Sequence, residues 1–141
     1  MLYTSLLTIH SVVRWALLIL YVAMLFRAAY GFHWQKNFGK ADNVLLRSTT
    51  SVAHLQLIIG IALYFVSPIV DYFLHNFGAA VGQKQFRFFG MEHGLMMLLS
   101  VVLITIAGAK AKRKPDSSAK FKTIVIWYVI ALLLMLGGLP R

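Results

Sequence analysis

Cysteine is absent from the 141-residue sequence. Its absence excludes disulfides, thiolate metal sites, iron–sulfur clusters and covalent haem attachment through a C-x-x-C-H motif. Charge is scarce as well: Asp, Glu, Lys and Arg make up 13% of the chain, against about a quarter in a soluble domain. There is no Ser–His–Asp set, no nucleophile elbow and no pair of carboxylates in an apolar setting. Hydrolase and transferase chemistry therefore has no support, and on the enzyme side an electron-transfer component is the most that the residues allow. Hydrophobic residues are 60% of the chain, more than one short domain can hide from water, so lipid must solvate the remainder.

What the sequence does have is four apolar runs of about the length that a helix needs to cross the hydrocarbon. They cover residues 4–26, 45–67, 88–109 and 121–139, the second ending at Ser67-Pro68 and the last leading into GGLPR. The runs are continuous rather than alternating, which favours helices over barrel strands. The expected fold is all-α: one domain, an integral membrane four-helix bundle of up-down topology. The leading run lacks a basic n-region and a small-residue cleavage site, so it reads as a retained helix and not a signal peptide. No internal repeat or separate soluble domain is evident.

The net charge of +10 is not spread evenly. The link between the first two runs holds Arg27, Lys36, Lys40 and Arg47, and the last link holds Lys110, Lys112, Arg113, Lys114, Lys120 and Lys122. The middle link holds only Lys84 and Arg87. Basic blocks between apolar runs point to membrane topology and anionic headgroups, not to nucleic acid. The positive-inside rule places the first and last links in the cytoplasm, and both ends of the chain outside. In a bacterial inner membrane, outside means periplasmic. In the middle link, Val70, Phe73, Leu74 and Phe77 fall at helical spacing, which predicts a short interfacial helix, with GAAVGQ as a flexible turn after it.

Function is sought among polar side chains that lipid makes costly: His10, Arg14, His54, Gln56, Glu92 and His93. At a rise of about 1.5 Å per residue, His10 lies about 9 Å and His93 about 8 Å inside the outer ends of their spans. Arg14 lies about 15 Å down, Gln56 about 17 Å and His54 about 20 Å. In an up-down bundle the first and third spans are diagonal neighbours, so His10 and His93 would face each other at one level. Two such imidazoles can supply both axial ligands of a haem iron, with His54 as an alternative ligand. Gly90, Gly94 and Ser100 would leave room on the third span.

Arg14 admits two readings. It would bind an anionic or carbonyl group such as a haem propionate or a quinone oxygen, or it would lock the first span to the third through an ion pair with Glu92. Gln56 and His54, two apart, mark alternative faces of the second span, one shared with Gly60 and the other with Ile61 and Tyr64. Met91, Met96 and Met97 around His93 admit a copper(I) site as a more distant reading. His33 and His75 read as solvated. Trp15, Trp34, Trp127, Tyr3 and Tyr128 read as interface anchors. A channel or carrier finds no broken helices to support it.

The segments HSVVRW, HLQLIIGIALYFVSP, MEHGLMM with VLITIAG, and FKTIVIWYVIALLLMLGGLPR together resemble small four-span membrane proteins of Bacteroidota-type bacteria, commonly labelled cytochrome b or uncharacterised membrane protein. The resemblance runs over nearly the whole chain. It implies a haem-binding electron-transfer protein of the inner membrane. It supplies no ligand set, so His10, His93 and His54 rest on their spacing. From the residues, the leading expectation is a haem b protein that transfers electrons, with quinone or a redox partner protein as candidate partners. The expectation from a different class is a non-enzymatic membrane subunit, in a homo-oligomer or a larger complex, that docks through the polar-to-small face of the third span.

Overall fold

The computed structural model describes residues 1–139; the Pro-Arg ending after the last run lies outside the described residues. Two long helices, α1 (Leu2–His33) and α2 (Lys40–Val66), are followed by three short ones, α3 (Pro68–His75), α4 (Phe77–Ala80) and α5 (Lys84–Arg87). A π turn (Phe88–Glu92) then leads into α6 (His93–Arg113), and α7 (Ser117–Gly137) closes the chain. There is no strand among the described residues. Four helical stretches are long and apolar enough to cross a membrane: α1, α2, the continuous stretch Lys84–Arg113, and α7.

Local chemistry sets the helix ends. The Gly39 N–H donates to the Asp42 carboxylate at 2.9 Å, capping the start of α2. The Ser67-Pro68 step ends α2, and Pro68 takes the first position of α3, where its missing N–H costs nothing. Lys114, forced extended by Pro115, ends α6. The Asp116 carboxylate then accepts from the Ala119 N–H at 2.8 Å and starts α7. At 32 residues α1 is about 48 Å long, well beyond the roughly 30 Å hydrocarbon thickness.

Each long helix carries an inward stripe at three- and four-residue steps. On α1 it is Leu17, Tyr21, Met24, Ala28 and Gly31; on α7 it is Phe121, Ile124, Tyr128 and Ala131. Leu46, Thr49 and Ala53 of α2 and Val101, Ile104, Ala107 and Ala111 of α6 complete the core. Small residues let the backbones approach: a Cβ on Gly31 would lie 2.6 Å from the Phe121 ring. The helices sit at four corners, α1 between α2 and α7, and α6 between the same two. The rest of their surface stays apolar and open. No more than 33% of any span's most apolar window is buried, as expected where lipid supplies the other side.

This core fills only one half of the bundle, near the two basic links. The links also meet there. The Phe38 N–H donates to Ser117 Oγ at 2.8 Å, and Arg27 Nε donates to Asp42 Oδ1 at 2.6 Å. At the other end Val70 and Phe73 of α3 are buried, and Phe73 lies so close over Gly90 that a Cβ there would fall 2.4 Å from its ring. Leu74 and Phe77 stay exposed, so the short helix between the second and third spans does form but packs through half of the predicted apolar face. The GAAVGQ segment is in part helical, with Gly78, Ala79 and Ala80 in α4, and turns only at Val81 and Gly82.

Candidate functional site

The looser half of the bundle holds most of the costly polar groups. His10, half-buried on α1, lies against α2: its Cε1 would be 3.7 Å from a Cβ on Gly60. Gln56, one turn before Gly60, donates from Nε2 to the His10 carbonyl oxygen at 2.9 Å. Because that carbonyl can only accept, the amide must turn its NH2 toward α1, which also sets Nε2 3.5 Å from His10 Nε2. The arrangement leaves His10 Nδ1 and Gln56 Oε1 buried without a protein partner. His10 is within electrostatic reach of both His93 and Arg14.

His93 is the first residue of α6, directly after the π turn, whose N–H to C=O bond runs from His93 back to Phe88. Its Nδ1 lies 2.7 Å from the carbonyl oxygen of Gly138 at the end of α7. A carbonyl only accepts, so Nδ1 carries a proton and donates it, and in the neutral ring Nε2 is the nitrogen with the lone pair. Gly138 makes this possible through close approach: a Cβ there would lie 2.8 Å from Met96 Cβ. The π turn is held from α2, where the Tyr64 hydroxyl donates to the Gly90 carbonyl at 2.7 Å.

Arg14 and Glu92 do not meet; among the described residues no ion pair joins them. Glu92 Oε1 instead accepts from Arg87 Nε at 2.6 Å, five residues back, because the π turn brings α5 round to it. Arg14 is exposed, its guanidinium 5.3 Å from the Trp15 ring centroid. His54 faces the other neighbour, with Nε2 2.8 Å from Thr105 Oγ1 on α6, so Gln56 and His54 serve the two helices that flank α2. Gly94 is open, with nothing within 4 Å of an added Cβ. Gly90 lies under Phe73, and Ser100 donates to the Met96 and Ala131 carbonyls. That leaves little of the polar-to-small face of α6 for a partner. Met96 and Met97 pack on Gly138, while Met91 is exposed.

Two partners were missed in the sequence: Thr105, which holds His54, and Gly138, which holds His93, and neither is of an ionisable type that would single it out. Tyr64, expected only to mark a face of the second span, bonds the Gly90 carbonyl. Tyr128 is fully buried and not an interface anchor: it stacks on Tyr21 at 4.7 Å between ring centroids, and the Tyr21 hydroxyl donates to the Tyr128 carbonyl. Trp15 and Trp34 stay exposed, whereas Trp127 packs partly against the core.

Among the described residues no group of three or more His, Asp and Glu side chains converges as a metal site. A haem held by two histidines needs fewer protein ligands. The donor set has one imidazole whose Nε2 is fixed as acceptor, the state that a metal-bound histidine takes when its other nitrogen bonds a carbonyl. A second imidazole, that of His10, has a buried, unpartnered Nδ1 and lies within electrostatic reach of His93. The residues present fit such a group. The architecture is that of a helical chain with four stretches suited to span a membrane. The sequence matches no family model, no curated protein and no solved structure.

Proposed function

We propose that this chain is a membrane-embedded haem b protein that transfers electrons, with His10 and His93 as axial ligands. The observation that carries the reading is the bond from His93 Nδ1 to the Gly138 carbonyl, which prepares Nε2 for a metal before any metal arrives. When bound, haem supplies a one-electron couple whose potential follows from its axial ligands and burial. The chain's own residues do the rest. Gly138 fixes the ring of His93, Gln56 and Gly60 hold the ring of His10, and Arg14 offers a guanidinium without a carboxylate partner to a propionate or a quinone oxygen. The resemblance to cytochrome b-labelled four-span proteins points the same way. His54 is the alternative ligand, although its Thr105 bond occupies Nε2.

In this reading the bundle is up-down and sits in a bacterial inner membrane. The two heavily basic links face the cytoplasm, both ends of the chain face the periplasm, and the histidine pair lies toward the periplasmic side. A quinone or a redox protein would take or deliver the electron. A second reading, a non-enzymatic subunit whose polar pairs only lock its helices, is favoured by the interhelical partners of Gln56, His54 and His93.

Absorbance of the detergent-purified protein, oxidised and dithionite-reduced, separates the two. A Soret band with sharp reduced α and β bands is expected, lost in His10→Ala and in His93→Ala. Loss with His54→Ala in place of one of these would keep the haem and reject the pair. A colourless protein after expression with ample haem would overturn the haem reading and leave the structural one.

A further inference from the structure

Away from the histidines, a cleft of about 350 Å³ opens between the end of α6 and the start of α7. Lys110, Lys114 and Lys122 line it on its polar side, and Ile126 and Trp127 line its floor, with Thr123 between. The Lys110 ammonium lies 5.7 Å from the Trp127 ring centroid. The Thr123 hydroxyl is already given to the Ala119 carbonyl, so the lysines are the free donors.

The geometry points to a binding site for the phosphate of an anionic phospholipid headgroup, held by Lys110, Lys114 and Lys122 above Trp127. One acidic side chain lies near the cleft: Asp116, whose carboxylate accepts from the N–H of Ala119, a lining residue, at 2.8 Å. The other three are engaged elsewhere, Asp42 with Arg27, Asp71 with His75 and Glu92 with Arg87, so three lysines share one nearby carboxylate. The dipole of α6 favours Lys110 in its last turn, but Lys122 stands near the start of α7, where the dipole opposes it. A bound phosphate offsets both the repulsion among the lysines and that dipole. The floor argues for a lipid over free phosphate. Ile126 is 46% exposed beside a half-buried tryptophan, an apolar surface one turn below the charges, as a headgroup with its acyl chains requires.

The test uses the full chain in phosphatidylcholine vesicles, with Trp15→Phe and Trp34→Phe leaving Trp127 as sole tryptophan, excited selectively at its red edge; both replaced rings are exposed. Phosphatidylglycerol with brominated chains is expected to quench Trp127 more strongly than brominated phosphatidylcholine at the same fraction. In the Lys110→Gln/Lys114→Gln/Lys122→Gln variant the apparent affinity for the anionic lipid should fall at least about tenfold. Removing the same charge elsewhere, with Lys36→Gln/Arg47→Gln/Lys84→Gln, should change it less than about twofold, since distant charges are screened. Equal quenching by the two lipids overturns the proposal, and that comparison needs no cleft variant. Equal losses in the two triple variants would mean general surface attraction only. Displacement of the lipid by inorganic phosphate at similar concentration would mean a phosphate site and not a lipid site.

Discussion

An imidazole that bonds a backbone carbonyl has its tautomer decided for it, and so a residue far from His93 in sequence sets what His93 can do through its main chain. Gly138 is that residue. An alanine there would meet Met96 Cβ at 2.8 Å and push the end of α7 off α6. Gly138→Ala should lower stability by about 1–3 kcal/mol through overpacking, and by releasing the His93 ring should weaken haem retention about 10–100-fold. Gly94→Ala is the control: its position is open, and an alanine gains up to about 1 kcal/mol of helix propensity. Thermal unfolding in detergent and haem loss to a scavenger protein read the two effects. Asp42 carries a separate residue-scale prediction. It lies ahead of the apolar run that begins at Leu45. Burial alone would raise its carboxyl, but the Arg27 guanidinium and the Gly39 amide hold it below the ordinary carboxylate range. With the folded value below the unfolded one, the contribution is complete above about pH 4 and is lost as pH falls through the lower folded value. Asp42→Asn should cost about 1–3 kcal/mol at neutral pH, and its melting temperature should lack this part of the wild type's acid dependence.

The π turn is the element on which the histidine layer depends. It adds one residue to a turn, so the stretch before it is rotated relative to α6. Deleting Met91, which is exposed, would restore α-helical bonding and turn one side against the other by about 100°. The Tyr64–Gly90 and Phe73–Gly90 contacts could not then coexist with the His93–Gly138 bond. The deletion should lower the thermal midpoint and, in the haem reading, abolish the six-coordinate spectrum; an unchanged melt would show that the turn positions nothing. The sequence carried no sign of this turn, and the side chains that touch it, Phe73 and Tyr64, lie on other elements. Helix existence and the end at Ser67-Pro68 were legible, since run length and a proline step speak locally. The last link was not: α6 runs past the expected end at residue 109 to Arg113, and α7 starts at Ser117 in place of residue 121, because Pro115 and the Asp116 cap set those ends rather than apolarity. Nor was the rotation of each helix. In lipid the outer face is as apolar as the inner one, so nothing in the pattern marked Tyr128 as core. For the same reason Gln56 and His54 could be named as marking two faces while their partners, His10 and Thr105, stayed open. The Arg14–Glu92 pair failed on the same ground: the nearer Arg87 reached Glu92 through a turn that the pattern did not reveal.

On the scale of the whole molecule, packing and charge divide the bundle in the same way. The tight half, with the stacked Tyr21 and Tyr128 and the Phe121 ring on Gly31, adjoins the links that carry most of the basic residues. The looser half adjoins the middle link, with only Lys84 and Arg87, and the latter is tied to Glu92. If Lys and Arg near span ends set orientation, the tight half faces the cytoplasm and the histidine layer faces the periplasm. A reporter at the C-terminus reads this directly. Alkaline phosphatase fused there should be active and green fluorescent protein dark, whereas both should reverse when fused after Lys114, in the last basic link. The reverse pattern at the C-terminus would place His93 and Gly138 on the cytoplasmic side. An electron donor or acceptor would then have to be sought in the cytoplasm, and the lysine cleft would face the outer leaflet.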